Sequence, residues 1–170
     1  YLSLPAWAGF IDHLADAVGV NTSMEFLELR KLQFRGVGEE VTNLAAAIRH
    51  HTKLRKFRIG SNQSTPNGLQ ELIEAATSNK NMHSLMFVNF AMENDDLFYL
   101  AERIRVSKNI CSLDIKGNKI TEEVADKFYD CLQGRQKLMF MNISQSVVRE
   151  AHCAVQRLKE RVILLKVDWF

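Results

Sequence analysis

The sequence predicts an α/β solenoid, with parallel strands along one wall and helices along the other. Three observations carry this. A short apolar pattern recurs six times, the apolar spacing turns helical between its copies, and cap residues mark where helices begin.

The recurring pattern is six residues long, with apolar side chains at its first, fourth and sixth positions. Its copies begin at Met24, Leu54, Met82, Ile110, Leu138 and Val162, at intervals of 30, 28, 28, 28 and 24 residues. Alternation of this kind belongs to a strand with one face buried. The fourth positions, Leu27, Phe57, Leu85, Leu113, Met141 and Leu165, are therefore expected to fall in successive rungs of one core.

The elements follow in order. Pro5, Trp7, Phe10, Ile11, Leu14 and Val18 describe an amphipathic helix that starts near a proline. With Leu2 and Leu4 before it, this segment reads as the remnant of one more repeat. The strand from Met24 leads to a helix ending in Arg49, His50 and His51. After the strand from Leu54, the pair Thr65-Pro66 marks a helix whose core side is Leu69, Leu72, Ile73 and Ala76. After the strand from Met82, Asn94-Asp95-Asp96 caps a helix carrying Leu97, Leu100 and Ile104. Thr121-Glu122-Glu123 caps the next, with Val124, Phe128 and Leu132, and Ala151, Val155 and Leu158 mark the last. The expected organisation is a single domain over residues 1–170. Residues 1–21 form a partial N-terminal repeat, 22–161 five repeats and 162–170 a terminal strand.

Ile110-Cys-Ser-Leu-Asp-Ile-Lys-Gly-Asn118-Lys-Ile120 matches the pattern L-x-x-L-x-L-x-x-N-x-L at each defined position. With the 28-residue period and helical back half, the chain resembles leucine-rich repeat proteins of the ribonuclease-inhibitor type, over roughly residues 22–170. The asparagine position is held by Asn62 and Asn118 but by Leu32, Phe90 and Ser146 elsewhere. The turns after the first, third and fifth strands are therefore expected to be less regular. No cysteine-rich flank occurs at either end, and extracellular members of the family commonly carry one, so the resemblance implies a cytoplasmic home.

Composition narrows the function classes. The 170 residues are 46% hydrophobic and 25% charged, with a net charge of +2. That balance is globular, and the mild charge argues against a nucleic-acid partner. The longest apolar runs, Leu44 to Ile48 and Leu97 to Ala101, are too short to cross a membrane. The start Tyr1-Leu-Ser-Leu-Pro5 has neither an initiator Met nor a signal pattern and reads as a piece of a longer protein or a mature fragment. Cys111, Cys131 and Cys153 have no metal spacing and are expected as reduced, buried thiols. No phosphate-binding loop, dinucleotide fingerprint, zinc-helix motif or nucleophile elbow occurs. Adjacent His50 and His51 should diverge rather than share a metal. The expectation is a non-catalytic protein without cofactor or metal.

Strand alternation names the outward residues. Third positions are Phe26, Lys56, Ser84, Ser112, Phe140 and Leu164. Fifth positions are Glu28, Arg58, Met86, Asp114, Asn142 and Lys166. Seventh positions are Arg30, Gly60, Val88, Lys116, Ser144 and Asp168. A wall mixing charge with exposed Phe and Met suits a protein partner. The residues expected to bind it are Phe26, Glu28, Arg30, Lys56, Arg58, Met86, Asp114 and Phe140. A basic rim (Arg49, His50, His51, Lys80, Lys108, Arg135, Lys137, Arg161) and an acidic rim (Glu39, Glu40, Asp95, Asp96, Glu122, Glu123, Glu150) follow from helix-dipole pairing repeated in each unit. Two parents resemble this period and size: sensors of the NOD-like receptor class and cytoskeletal caps of the tropomodulin class. A further alternative is a GTPase-activating repeat protein acting through Arg35, in the loop Arg35-Gly-Val-Gly38. The apolar strand from Val162 offers an open edge for pairing with another copy.

Overall fold

A computed structural model describes residues 10–30, 38–60, 68–133, 138–144 and 152–168. Twelve elements alternate within them. They are α1 (Phe10–Val20), β1 (Phe26–Arg30), α2 (Gly38–His50), β2 (Lys56–Gly60), α3 (Leu69–Ser78), β3 (Ser84–Val88), α4 (Asn94–Val106), β4 (Ser112–Asp114), α5 (Glu122–Leu132), β5 (Leu138–Ser144), α6 (His152–Leu158) and β6 (Val162–Asp168).

The strands form one sheet in chain order, every pair parallel. Leu27 pairs in register with Phe57, Phe57 with Leu85, Leu85 with Leu113, Leu113 with Met141 and Met141 with Leu165. The expected rungs are therefore formed. Phe57, Leu85 and Leu113 are fully buried, and Phe57 meets Phe87 edge to face at 6.3 Å between ring centroids. Each helix packs on the next along the other side. Strands stack about 4.8 Å apart and helices about 10 Å, so the sheet takes the inside of the bend.

Polar contacts stitch the helix row on its outer side. Asn43 donates to Asp12 and Thr42 to Glu71, Tyr99 donates to Glu74, Lys127 pairs with Glu102 and Arg157 with Asp126. β1 to β4 start two residues later than the apolar pattern. Each of their second-position carbonyls, on Glu25, Arg55, His83 and Cys111, accepts two successive N–H groups of the next rung at 2.8 to 3.1 Å. Regular pairing begins only beyond that doubled bond.

Helix starts agree in part. Thr121 caps α5, its hydroxyl accepting the Val124 N–H at 3.3 Å. For α4 the cap is Glu93, and Asn94 is already helical. Asp96 reaches back to the Glu93 N–H instead, which is half of a capping box. α3 begins at Leu69, behind Gly68 at φ 92°, later than the proline suggested. Thr65, Pro66 and the segment from Pro5 to Trp7 lie outside the described residues, as do Arg35, Asn62, Arg135, Lys137, Ser146 and Glu150. In the turn after β3, Asn89 and Ala91 both take left-handed backbone, at φ 50° and 52°. Gly117 holds the Asn89 position one repeat later at φ 74°, so only Ala91 departs from the regular turn, next to the Phe90 that replaces asparagine.

The thiol expectation needs correction. Cys131 is buried, but Cys111 is half-buried and Cys153 exposed. Cys111 occupies the second strand position, on the rim rather than in the core. Cys153 lies on the outer side of α6.

Candidate protein-binding face

The register gathers all eight candidate residues onto the strand face. Phe26 lies beside Lys56, and Ser112 beside Phe140. One row further along the strands, Glu28 lies beside Arg58, Arg58 beside Met86 and Met86 beside Asp114. Phe26 is 46% exposed, Lys56 is exposed, and Met86, Asp114 and Phe140 are half-buried. Bulky anchors thus stand at both ends of the wall, with cations and two serines between them.

Glu28 organises the basic end. Its Oε1 accepts from Arg30 Nε at 2.5 Å and from Arg58 Nε at 3.0 Å. The Glu28 side chain is only 13% exposed, whereas Arg58 is 27% and Arg30 40% exposed. One shielded carboxylate therefore holds two guanidinium groups at the surface. Fixing those planes in advance lowers the entropy lost when a partner's carboxylate docks. Asp114 is likewise steadied, accepting the Lys116 N–H at 3.2 Å.

Three outward positions prove to be covered. Gly60 and Val88 are buried, because β2 and β3 close so tightly there that a Cβ on Gly60 would strike the Val88 carbonyl. Asn142 is 3% exposed, a short side chain flanked in register by Asp114 and Lys166. The fifth-position row is therefore interrupted before Lys166.

His51 also departs from the rim assignment. Arg49 and His50 do end α2, but His51 is 5% exposed and turned inward. Its Nδ1 accepts the N–H groups of Lys53 at 3.2 Å and Leu54 at 3.0 Å. Asn21 does the same one repeat earlier, accepting from Ser23 and Met24. Asn79 does so one repeat later for Asn81, and its Nδ2 also donates to the carbonyls of Ile48 and His51 at 2.7 and 2.9 Å. This second polar column was missed by sequence reasoning, although Asn21, His51, Asn79 and Ser107 recur at 30, 28 and 28 residues. Lys80, Lys108, Asp95, Glu122 and Glu123 are exposed at helix ends, and Asp96 is half-buried there. Arg161 stacks over Tyr129 at 5.2 Å.

The helix side carries a cleft of about 740 Å³, lined by Phe98, Tyr99, Glu102, Asp126 and Lys127 among others. Hydrogen bonds from Lys127 and Arg105 hold Glu102 below the usual carboxylate range. Burial pushes the Cys131 thiol up, away from the reactive thiolate. Among the described residues no three His, Cys, Asp or Glu side chains converge to hold a metal, and no helix is long and apolar enough to cross a membrane.

Two solved structures share the arrangement. One is the tropomodulin C-terminal domain of Caenorhabditis elegans, at TM-score 0.65 and 14% identity, covering 89% of this chain and 95% of that one. The other is leiomodin-1 actin-binding site 2, at TM-score 0.67 and 11% identity, covering 93% and 90%. The fold is a leucine-rich repeat solenoid. At such identities the likeness speaks for the fold. No family model and no curated protein matches the sequence.

Proposed function

We propose that this solenoid is a non-catalytic recognition module that binds a protein through its strand face. The carrying observation is the Glu28 bridge, which holds Arg30 and Arg58 on the same face as the apolar anchors Phe26 and Phe140. Arginine and aromatic side chains dominate binding energy in protein interfaces. The serines Ser84 and Ser112 leave room between them for a partner's backbone. We read the type of repeat as that of ribonuclease inhibitor, and the setting as the cytoplasm. Of the parents considered, a cytoskeletal cap has support from the overall likeness to tropomodulin and leiomodin domains.

Actin is the first partner to test, because one of the similar structures is described as an actin-binding site. Fluorescence titration of labelled actin with the wild-type chain should saturate. Arg58→Glu and Phe140→Ala should each weaken binding by at least about tenfold, the loss of roughly 1.4 kcal/mol or more. Affinity unchanged by both substitutions, for actin or for any other protein that binds, would remove the strand face from the account.

A further inference from the structure

The second positions of three inner rungs hold His83, Cys111 and Met139. They are 28 residues apart in sequence and neighbours in the fold. The Cys111 N–H donates to the His83 carbonyl and the Met139 N–H to the Cys111 carbonyl, both at 2.9 Å. The Cys111 thiol also donates weakly to the His83 carbonyl at 3.5 Å, so its sulfur lies toward the histidine rung. All three side chains reach solvent. His83 is exposed, Cys111 half-buried and Met139 57% exposed.

The imidazole is prepared as a ligand. Its Nδ1–H donates to the Asn81 carbonyl at 2.5 Å, which fixes the tautomer and leaves Nε2 as a lone pair. No described residue donates to that lone pair. Asn81 is anchored in turn, because Oδ1 of Asn79 accepts its N–H at 2.8 Å and Asn79 is 2% exposed. Outer hydrogen bonds of this kind orient metal-binding histidines.

We propose that His83 Nε2, Cys111 Sγ and Met139 Sδ bind a soft, monovalent metal ion of the Cu(I) class. Imidazole, thiolate and thioether together suit such an ion, whereas harder cations prefer oxygen. Reach favours it as well. His83 and Met139 stand about 10 Å apart across two strand spacings. Both are long, and the short thiol lies between them, so an ion seated on the sulfur is approached from either side. The thiol gives up its proton to solvent as the metal–sulfur bond forms. One thiolate then balances the single charge of Cu(I). A divalent ion would leave excess positive charge beside Arg55, which is exposed on the rung before His83. Spacing along the chain conceals the set, since its members meet only through the repeat register.

Cys153 is a second accessible thiol, on the outer side of α6, so the test uses the full chain carrying Cys153→Ser. Under reducing conditions it is titrated with Cu(I) in competition with the chromophoric chelator bicinchoninate. One Cu(I) per chain should leave the chelator, and X-ray absorption should show one nitrogen and two sulfur neighbours. Cys111→Ser should abolish uptake. Met139→Leu and His83→Gln, both at exposed positions, should each weaken it by at least about tenfold while the circular dichroism spectrum stays the same. No uptake against the chelator would overturn the proposal. So would uptake indifferent to Met139→Leu or to His83→Gln, the mark of a thiol acting without its neighbours, or Zn(II) bound as tightly as Cu(I).

Discussion

Asn118 Nδ2 donates to the carbonyl of Phe87 at 2.6 Å, so that a side chain of one repeat closes the turn of the repeat before it. The same amide group donates to its own Ile115 carbonyl at 2.9 Å, and Oδ1 accepts the N–H groups of Phe90 and Met92 at 3.2 Å. Four buried backbone groups thus depend on one residue that is 3% exposed. Asn118→Ala should cost about 2–4 kcal/mol, because stranded buried donors and acceptors carry their full desolvation penalty. Urea unfolding monitored by circular dichroism measures it. A loss below half a kilocalorie, roughly the value of an ordinary surface substitution, would contradict the ladder.

Ser107 occupies the column of Asn21 and Asn79, but its hydroxyl is buried without a hydrogen-bond partner among the described residues. By the 28-residue register, an asparagine there reaches the carbonyls of Ala76 and Asn79, as Asn79 reaches those of Ile48 and His51. Ser107→Asn is therefore expected to stabilise the chain by about 0.5–2 kcal/mol, seen as a raised Tm. A lowered Tm would show that the space beside α4 cannot take the larger group.

Gly117 sits at φ 74°, and a Cβ on it would collide with the Asn89 side chain. Gly117→Ala should destabilise by about 1–3 kcal/mol through the left-handed backbone and the clash together. Gly60→Ala should also destabilise, for a different reason, since it pushes β2 away from the Val88 carbonyl. Thermal melts of both, beside Gly19→Ala in open space within α1, separate these effects from helix propensity.

Burial holds the Asp96 carboxyl above its ordinary pKa, despite bonds from the Glu93 N–H and the Gln70 side chain that oppose the shift. The folded state then binds more protons than the unfolded one between the ordinary and the raised value. Stability is lost as pH rises through that window. Asp96→Asn should flatten this slope and leave the protein slightly more stable at neutral pH. Urea midpoints at a series of pH values read it, and an unchanged slope would dismiss the role of burial.

Such sites show how far the sequence carries. Strand rungs were legible because Leu27, Phe57, Leu85, Leu113 and Met141 repeat with a period that only a stacked core explains. Asn118 was legible because its pattern is complete. The His51 and Asn79 column was not, because polar residues at helix ends look like caps or rim charge until their direction is known. The covered state of Val88 and Asn142 was hidden for another reason. Two-residue alternation assigns a face but says nothing of how closely neighbouring strands approach. Of the candidate face, alternation supplied the members, while the sharing of Glu28 by Arg30 and Arg58 required coordinates.

The most direct measurement is oxidative side-chain footprinting of the chain bound to a protein partner. Phe26, Met86 and Phe140 on the strand face should lose reactivity on binding, while Tyr99 and Phe98 on the helix side keep theirs. Protection of Tyr99 and Phe98 with Met86 and Phe140 unaltered would place recognition on the opposite wall and contradict the account.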